Sequence, residues 1–311
     1  MHSFQMHKSP FQFTEAVQHE NLEISFLLGP STLPDYLTLA EGCCLNIVEV
    51  LETGTVGSLV VHNHSPKKPL FIQLGELLKG GLQDRTIATD LILDPGERYD
   101  ELSVYCARWS KRQEEDQKRF VSTQDFVVTK PLRSSLEKGK DQSAVWAAVD
   151  SVKDQMARQL PGFIGPEVSP SSLQLSLEDS TLHKSVQQWS MAISGQWRPN
   201  AKTVGVAITI NKRLERIDWY GHARLLRRLW PGLLRAAILE ALLERTPKPA
   251  KPLRLDEERF RDLLARLEKA KPSQRRPSTQ TLDERWQFAT CRISRTTYLK
   301  TKTAAHTSVR F

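Results

Sequence analysis

Apolar and polar positions alternate in short runs through the first 130 residues. Leu22–Leu28 reads Leu-Glu-Ile-Ser-Phe-Leu-Leu and begins as a half-buried strand does. Leu37–Glu41 and Leu45–Glu52 follow as strands on either side of Gly42, the second rich in β-branched residues. Val56–His64, ended by Ser65-Pro66, and Leu70–Leu74 continue the series. Thr86–Leu93 reads as one strand closed by the turn Asp94-Pro95-Gly96-Glu97, and Leu102–Cys106 alternates again. Many short strands with regular turn punctuation predict a β-sandwich or barrel-like unit.

The period then changes. Ser110–Arg119 is densely charged and reads as an exposed loop or short helix, and Phe126–Arg133 is expected to return to the sheet. Gln142–Gln159 has helical spacing, with Val145, Trp146, Val149, Val152 and Met156 on one side, and Pro161-Gly162 stops it. After a Gly-Pro-Ser linker at 165–172, Ser180–Ile193 predicts a helix. Val204–Ile210 and Leu214–Trp219 predict a hairpin around Asn211-Lys212-Arg213. Ala223–Arg245 predicts a long amphipathic helix, kinked or split at Pro231. Pro247–Pro252 reads as a linker, Asp256–Lys269 as a charged helix capped by Asp256, and Lys271–Gln280 as polar and mobile. Trp286–Ile293 and Thr296–Lys302 read as terminal strands. The fold class is therefore α+β. It has a β-rich sandwich or barrel-like domain at 1–165, a hairpin-helix unit at 166–245 and a basic extension at 246–311.

Composition adds bounds to this picture. The chain has 311 residues, 39% of them hydrophobic, enough for a sizeable core. No apolar run approaches the roughly 18–20 residues that span a bilayer. Met1–Glu15 offers no signal-like apolar stretch, so no membrane association and a cytoplasmic location are expected. The net charge of +8 is uneven. Glu244–Phe311 holds 17 Lys and Arg against 8 Asp and Glu, a net of +9, whereas the rest has 27 against 28, a net of −1. That basic segment reads either as a nucleic-acid or protein contact or as a solvated helix face with a basic linker. Cys43, Cys44, Cys106 and Cys291 show no C-x-x-C spacing and read as small buried apolar residues, with adjacent Cys43 and Cys44 on opposite faces of a strand.

The densest chemistry lies in Leu70–Arg85, where Gly75, Glu76, Gly80, Gly81, Gln83, Asp84 and Arg85 follow a strand directly. Glycines at positive φ let a ligand approach the main chain, and successive N–H groups in such a bend form an anion nest. Arg85 would pair with phosphate or carboxylate, Glu76 and Gln83 would read hydroxyls, and Glu76 with Asp84 is the visible acid–base pair. The bland alternative is a tight turn in which Glu76 and Arg85 pair with each other. Arg108-Trp109 would wall the site or pack as a strand end. His62-Asn63-His64 lacks the carboxylate a metal cluster needs, since Pro66-Lys67-Lys68 follows it, so no metal and no cofactor is expected. Asp218-Trp219-Tyr220-Gly221-His222 reads as the entry to a helix, with a possible approach to the site. No catalytic triad order is visible.

The motifs Gly75-Glu76, Gly80-Gly81-Leu82-Gln83-Asp84-Arg85, Val104-Tyr105-Cys106 with Arg108-Trp109, Val204-Gly205-Val206 through Asp218, and Leu229-Trp230-Pro231-Gly232-Leu233-Leu234-Arg235-Ala236 together resemble a bacterial family of unknown function. This is the ARG and Rhodanese-Phosphatase-superfamily-associated protein family. The resemblance spans roughly residues 40 to 245. The family has a Glu soon after the cysteine and a longer spacing to Arg-Trp, whereas here Ala107 alone separates Cys106 from Arg108. The family name implies genomic association with ADP-ribosylglycohydrolases. The resemblance thus implies binding or processing of an anionic small molecule of the ADP-ribose or NAD-derived nucleotide kind. The alternative is a non-enzymatic module that binds nucleic acid or a protein through the basic C-terminal region. The sequence leaves open whether the protein is an enzyme and in what oligomeric state it acts.

Overall fold

The computed structural model describes residues 11–81, 83–106, 119–126, 130–137, 142–160, 162, 177–245 and 257–311. Its largest element is an antiparallel sheet of nine strands. The order is β1 (Gln12–Phe13), β3 (Leu22–Leu28), β13 (Thr203–Ile210), β14 (Arg213–Tyr220), β18 (Thr303–Arg310), β17 (Arg292–Tyr298), β16 (Thr281–Gln287), β15 (Ser273–Arg275), with β2 (Val17–His19) also pairing β3. The first, middle and last parts of the chain all contribute strands. Asn211 and Lys212 both take positive φ, 51° and 62°, the two-residue turn whose twist suits a β13–β14 hairpin.

Each face of this sheet is buried differently. On one, Ile24, Phe26, Val206 and Ile208 share a core with Trp189 of α4 (Ser180–Gln196) and Leu226, Trp230 and Leu233 of α5 (Ala223–Leu243). On the other, Ile217, Trp219, Val309, Ile293 and Trp286 pack against Phe260, Leu263 and Leu267 of α6 (Glu257–Lys269). The charge of α6 is thus the solvated side of a helix whose apolar stripe is spent on the sheet.

A second body is a barrel-like sheet of six strands: β12 (Phe120–Phe126), β8 (Glu76–Gly80), β9 (Arg85–Ile87), β11 (Arg98–Cys106), β6 (Ser58–Asn63) and β5 (Val48–Glu52). A bridge between Leu51 and Arg119 brings its last strand back to its first. Val50, Leu59, Val61, Leu78, Ile87, Leu102, Val104 and Phe120 fill it. At the seam, Gly80 stands at φ 141° and a Cβ there would lie 2.3 Å from the Arg119 carbonyl oxygen. Gly81 is pressed against the Phe120 ring. These glycines are required because the closing strand passes directly over them. A small sheet of three strands, β10 (Leu91–Leu93), β7 (Leu70–Ile72) and β4 (Leu37–Thr38), lies alongside. The fold is α+β and β-rich, with α1 (Leu39–Cys44), α2 (Lys130–Glu137) and α3 (Gln142–Gln159) completing it.

Several local expectations are corrected. Leu37–Glu41 is not one strand: Thr38 accepts the Glu41 N–H and caps α1, so Cys43 and Cys44 sit on a helix. Cys106 and Cys291 are buried, but Cys43 is half-buried and Cys44 exposed. Thr86–Leu93 is split into β9 and β10 around Asp90. Lys130–Glu137 is helical where a return to the sheet was expected. Pro231 does not divide α5; it lies on the exposed side, where water reaches the carbonyl of exposed Arg227 that loses its donor. Trp286–Ile293 contains a tight turn, with Phe288 N–H on the Cys291 carbonyl, and β18 is a further strand. Lys271–Gln280 includes the ordered strand β15. The linkers at 165–172 and 247–252, and most of the charged segment 110–119, lie outside the described residues.

The seam generates a contrast. Gly80→Ala loses about 3 kcal/mol, because backbone strain and a backbone clash add. Gly54→Ala, at φ 80° with nothing within 4 Å of the new Cβ, loses only about 1 kcal/mol. Urea unfolding of both variants checks this; equal losses would show that the seam is not tightly closed.

Candidate functional site

Strand periodicity and antiparallel register line up the polar residues of the C-terminal strands. Side chains two apart share a face, and directly opposed residues on neighbouring strands become lateral neighbours. Three cross-strand rows result. Arg216, Arg310, Arg292 and Gln287 form the first; Asp218, Ser308, Ser294, Arg285 and Ser273 the second; Tyr220, His306, Thr296, Asp283 and Arg275 the third. Along β13, the register partners of Arg216 and Asp218 are Ile208 and Val206, which sit in the apolar core under α5. The same face is therefore apolar at one end of the sheet and polar at the other.

A cleft of about 330 Å³ lies over the polar half. Gln73, Leu74, Thr89 and Asp90, from the turns flanking β8 and β9, complete its wall. At its base His306 stands between two carboxylates. Its Nδ1 is 2.8 Å from Asp90 Oδ2 and its Nε2 is 3.4 Å from Asp218 Oδ1. All three side chains are at most 10% exposed. Tyr220 stacks on the imidazole with ring centroids 4.7 Å apart. Thr296 donates to Asp90 (2.8 Å) and Ser308 to Asp218 (2.5 Å), and Arg216 approaches Asp218 at 3.4 Å. Burial pulls the His306 pKa down, but the charges of Asp90 and Asp218 outweigh it and raise it to about 9. Burial likewise opposes ionisation of Asp218, yet His306, Arg216 and Ser308 hold its carboxyl at about 2. Asp90 is lowered for the same reason, its burial outweighed by His306. The centre is an imidazolium between two carboxylates.

Above it, two arginines lean on one acid. Arg275 and Arg285 reach Asp283 at 2.5 Å and 3.0 Å. Arg292 differs: among the described residues it makes no ion pair. Its neighbour two along the strand, Ser294, also faces the cleft. Charge and hydroxyl donors there are disposed to meet a solute.

The residues singled out by sequence divide into two groups. Gly75 and Glu76 shape the cleft wall. Glu76 N–H donates to the Gln73 carbonyl with Gly75 at φ 88°, a type II turn. Glu76 Oε1 accepts the Gln73 N–H at 2.7 Å, Asp90 accepts the Leu74 N–H at 2.7 Å, and Tyr220 donates to Gln73 Oε1 at 3.1 Å. Burial raises the Glu76 pKa to about 8, only partly offset by that N–H and reinforced by the nearby charge of Asp90. Gly80, Gly81, Gln83 and Arg85 belong instead to the barrel seam. Arg85 is 2% exposed. It pairs with Glu52 at 3.3 Å, rather than with Glu76, and donates to the Gln83 carbonyl at 2.9 Å. Cys106 Sγ meets Gln83 Oε1 at 3.2 Å. Asp84 is buried near the same end. Since Leu78 faces Arg85 in register, Glu76 and Asp84 stand about three residues, or roughly 10 Å, apart along the hairpin. The hairpin does not bring them together on one bond. Arg108 and Trp109 lie outside the described residues. His62 and His64 stack on each other with centroids 3.7 Å apart, and no metal-ligand cluster is found among the described residues.

His222 caps α5 by accepting the Arg224 N–H, as the helix-entry reading expects. Four residues earlier, Asp218 turns toward His306 beneath the cleft. The reading missed His306, Asp90, Ser308, Thr296 and Arg292. Their signal was present: His306, Ser308 and Arg310 occupy alternate positions of one strand, at the end of a segment whose net charge is +9.

The sequence profile of the ARG and Rhodanese-Phosphatase-superfamily-associated Protein domain matches residues 10–309. The match reaches well beyond residues 40–245 and includes the strands that carry the cleft. No curated protein and no solved structure gives a significant match. Among the described residues no helix is long and apolar enough to cross a membrane.

Two titrations follow. His306 is raised relative to an unfolded histidine, so its stabilisation is complete below about pH 6.5 and is lost as pH rises through about 9. Its imidazole protons should titrate near pH 9 by NMR; a midpoint below 7 contradicts the two-carboxylate setting. Glu76 is also raised, so its ionisation costs stability as pH climbs from about 4.5 to about 8. Glu76→Gln keeps the acceptor for the Gln73 N–H and should make unfolding free energy fall less steeply over that window, most clearly below pH 6.5, where His306 does not yet contribute. A variant with the wild-type slope would show that Glu76 is not the titrating group.

Proposed function

Because the chain belongs to the ARG and Rhodanese-Phosphatase-superfamily-associated protein family, and that membership assigns no reaction, we propose from the cleft itself that the protein binds an anionic, hydroxyl-bearing small molecule. ADP-ribose is the first ligand to test, in keeping with the family name. The observation that carries the reading is Arg292, a guanidinium on the wall of a 330 Å³ cleft with no ion-pair partner among the described residues. Cavities of this size fall at the lower end of the roughly 300–1,000 Å³ common for small-molecule sites. Arg292 supplies a forked donor for phosphate or carboxylate, and Ser294 supplies a hydroxyl beside it. Asp90 and Thr296 extend the polar floor toward the ligand's hydroxyls. The Gly75–Glu76 turn serves by holding Gln73 and Leu74 in place.

Nucleic-acid binding through the basic C-terminal region has less behind it. Arg285, Arg292 and Arg310 of that region line the cleft. On α6, Glu258, Asp262 and Glu268 alternate with the basic residues.

Isothermal titration with ADP-ribose tests the proposal. Arg292→Ala should weaken binding by about tenfold to a hundredfold, the range of a lost charged hydrogen bond. Arg98→Ala, whose side chain is 55% exposed and among the described residues pairs with Asp100, should leave affinity unchanged. Absence of binding at millimolar ligand, or an Arg292→Ala variant that binds as wild type does, would overturn it.

A further inference from the structure

A second cavity of about 300 Å³ adjoins the cleft, and Arg292, Arg310 and Gln287 line both. In register these three residues are consecutive members of one cross-strand row. The row is therefore the shared wall between the two spaces. Like charges directly opposed across strands repel, and here Arg310 faces Arg216 on one side and Arg292 on the other. Arg216 has Asp218 beside it at 3.4 Å, whereas Arg292 makes no ion pair among the described residues. An anion placed on the row would relieve that repulsion and take bidentate bonds from adjacent guanidinium groups.

The two spaces differ in chemistry. The first offers hydroxyls and acids: Ser294, Thr296, Ser308, Asp90 and His306. The second is lined by two aromatic rings, Phe288 and Phe311, which also pack against the core under α6, with Arg266 over the Phe288 ring, together with Arg133, Glu215 and Thr290. Neither ring is fully buried. Polyhydroxylated groups suit the first space, and a flat ring suits the second by stacking.

We infer that the ligand is a two-part molecule, a polyhydroxylated group and a flat ring joined through a central phosphate or diphosphate, with that anion seated on the Arg292–Arg310 row and one part in each cavity. This rests on the small-molecule reading of the cleft and extends it to a second subsite.

The test compares ADP-ribose, which has both parts, with ribose 5-phosphate and inorganic pyrophosphate, which lack the ring. ADP-ribose should bind about tenfold or more tightly than either, since a second tethered contact adds to the first. Thr290→Trp, a substitution at an exposed turn residue that fills the second cavity, and Phe311→Ala, which removes one ring, should each lower ADP-ribose affinity to within about threefold of ribose 5-phosphate. Ribose 5-phosphate itself should bind both variants as it binds wild type. ADP-ribose binding no tighter than ribose 5-phosphate, or unchanged in both variants, overturns the second subsite while leaving the cleft as a binding site. Failure of all three ligands to bind wild-type protein overturns both.

Discussion

A buried charge persists only where partners surround it, and His306 meets that condition from two directions at once. Asp218 comes from the adjacent strand of the nine-stranded sheet, while Asp90 comes from the turn between β9 and β10, outside that sheet. The imidazolium therefore joins the sheet to the strands beside it. Asp90 extends the link by holding the Leu74 N–H, and Tyr220, stacked on His306, holds Gln73. Removing His306 would leave two buried carboxylates without their shared cation, which costs about 3–5 kcal/mol. The wall of the cleft and its floor are thus fixed by one connected set of polar contacts.

That set is needed because the sheet is only half covered. Helices α4 and α5 bury the end built from β3 and β13, where the face is apolar. At the other end the strands present arginines, acids and hydroxyls in rows that line the cleft, and α2 reaches their Arg310 edge through Arg133 and Ser134. Apolar residues on the opposite face supply the packing with α6, so the polar face is not needed for the core. A sheet that can spare one half-face from core duty can carry a binding site there.

The sequence made the elements legible where one period ran for long enough. The β13–β14 hairpin and the helix Gln142–Gln159 are read directly from alternation and helical spacing. The six-stranded barrel-like sheet was visible as a class through its short runs and turns, but its closure depends on Leu51 meeting Arg119, a contact between distant residues. The candidate site was legible only in part. Gly75 and Glu76 drew notice because glycine and acid adjoin a strand, and they shape the cleft without being its donors. Arg85 looked available to an anion because its partner, Glu52, lies 33 positions earlier. His306 and Asp90 are separated by 216 positions, and no local pattern brings such residues together. The basic surplus of the C-terminal segment was the clearest pointer, since several of its arginines face the cleft and not solvent alone.

The proposed ligand sits in the cleft over the polar half-face and not in the glycine bend at the barrel seam. Crystals soaked in ADP-ribose decide this most directly. Difference density is expected against Arg292 and Ser294, with the Gly80–Arg85 seam unchanged and Arg85 still on Glu52. Density at the seam, with Arg85 turned away from Glu52 toward the ligand, would contradict it.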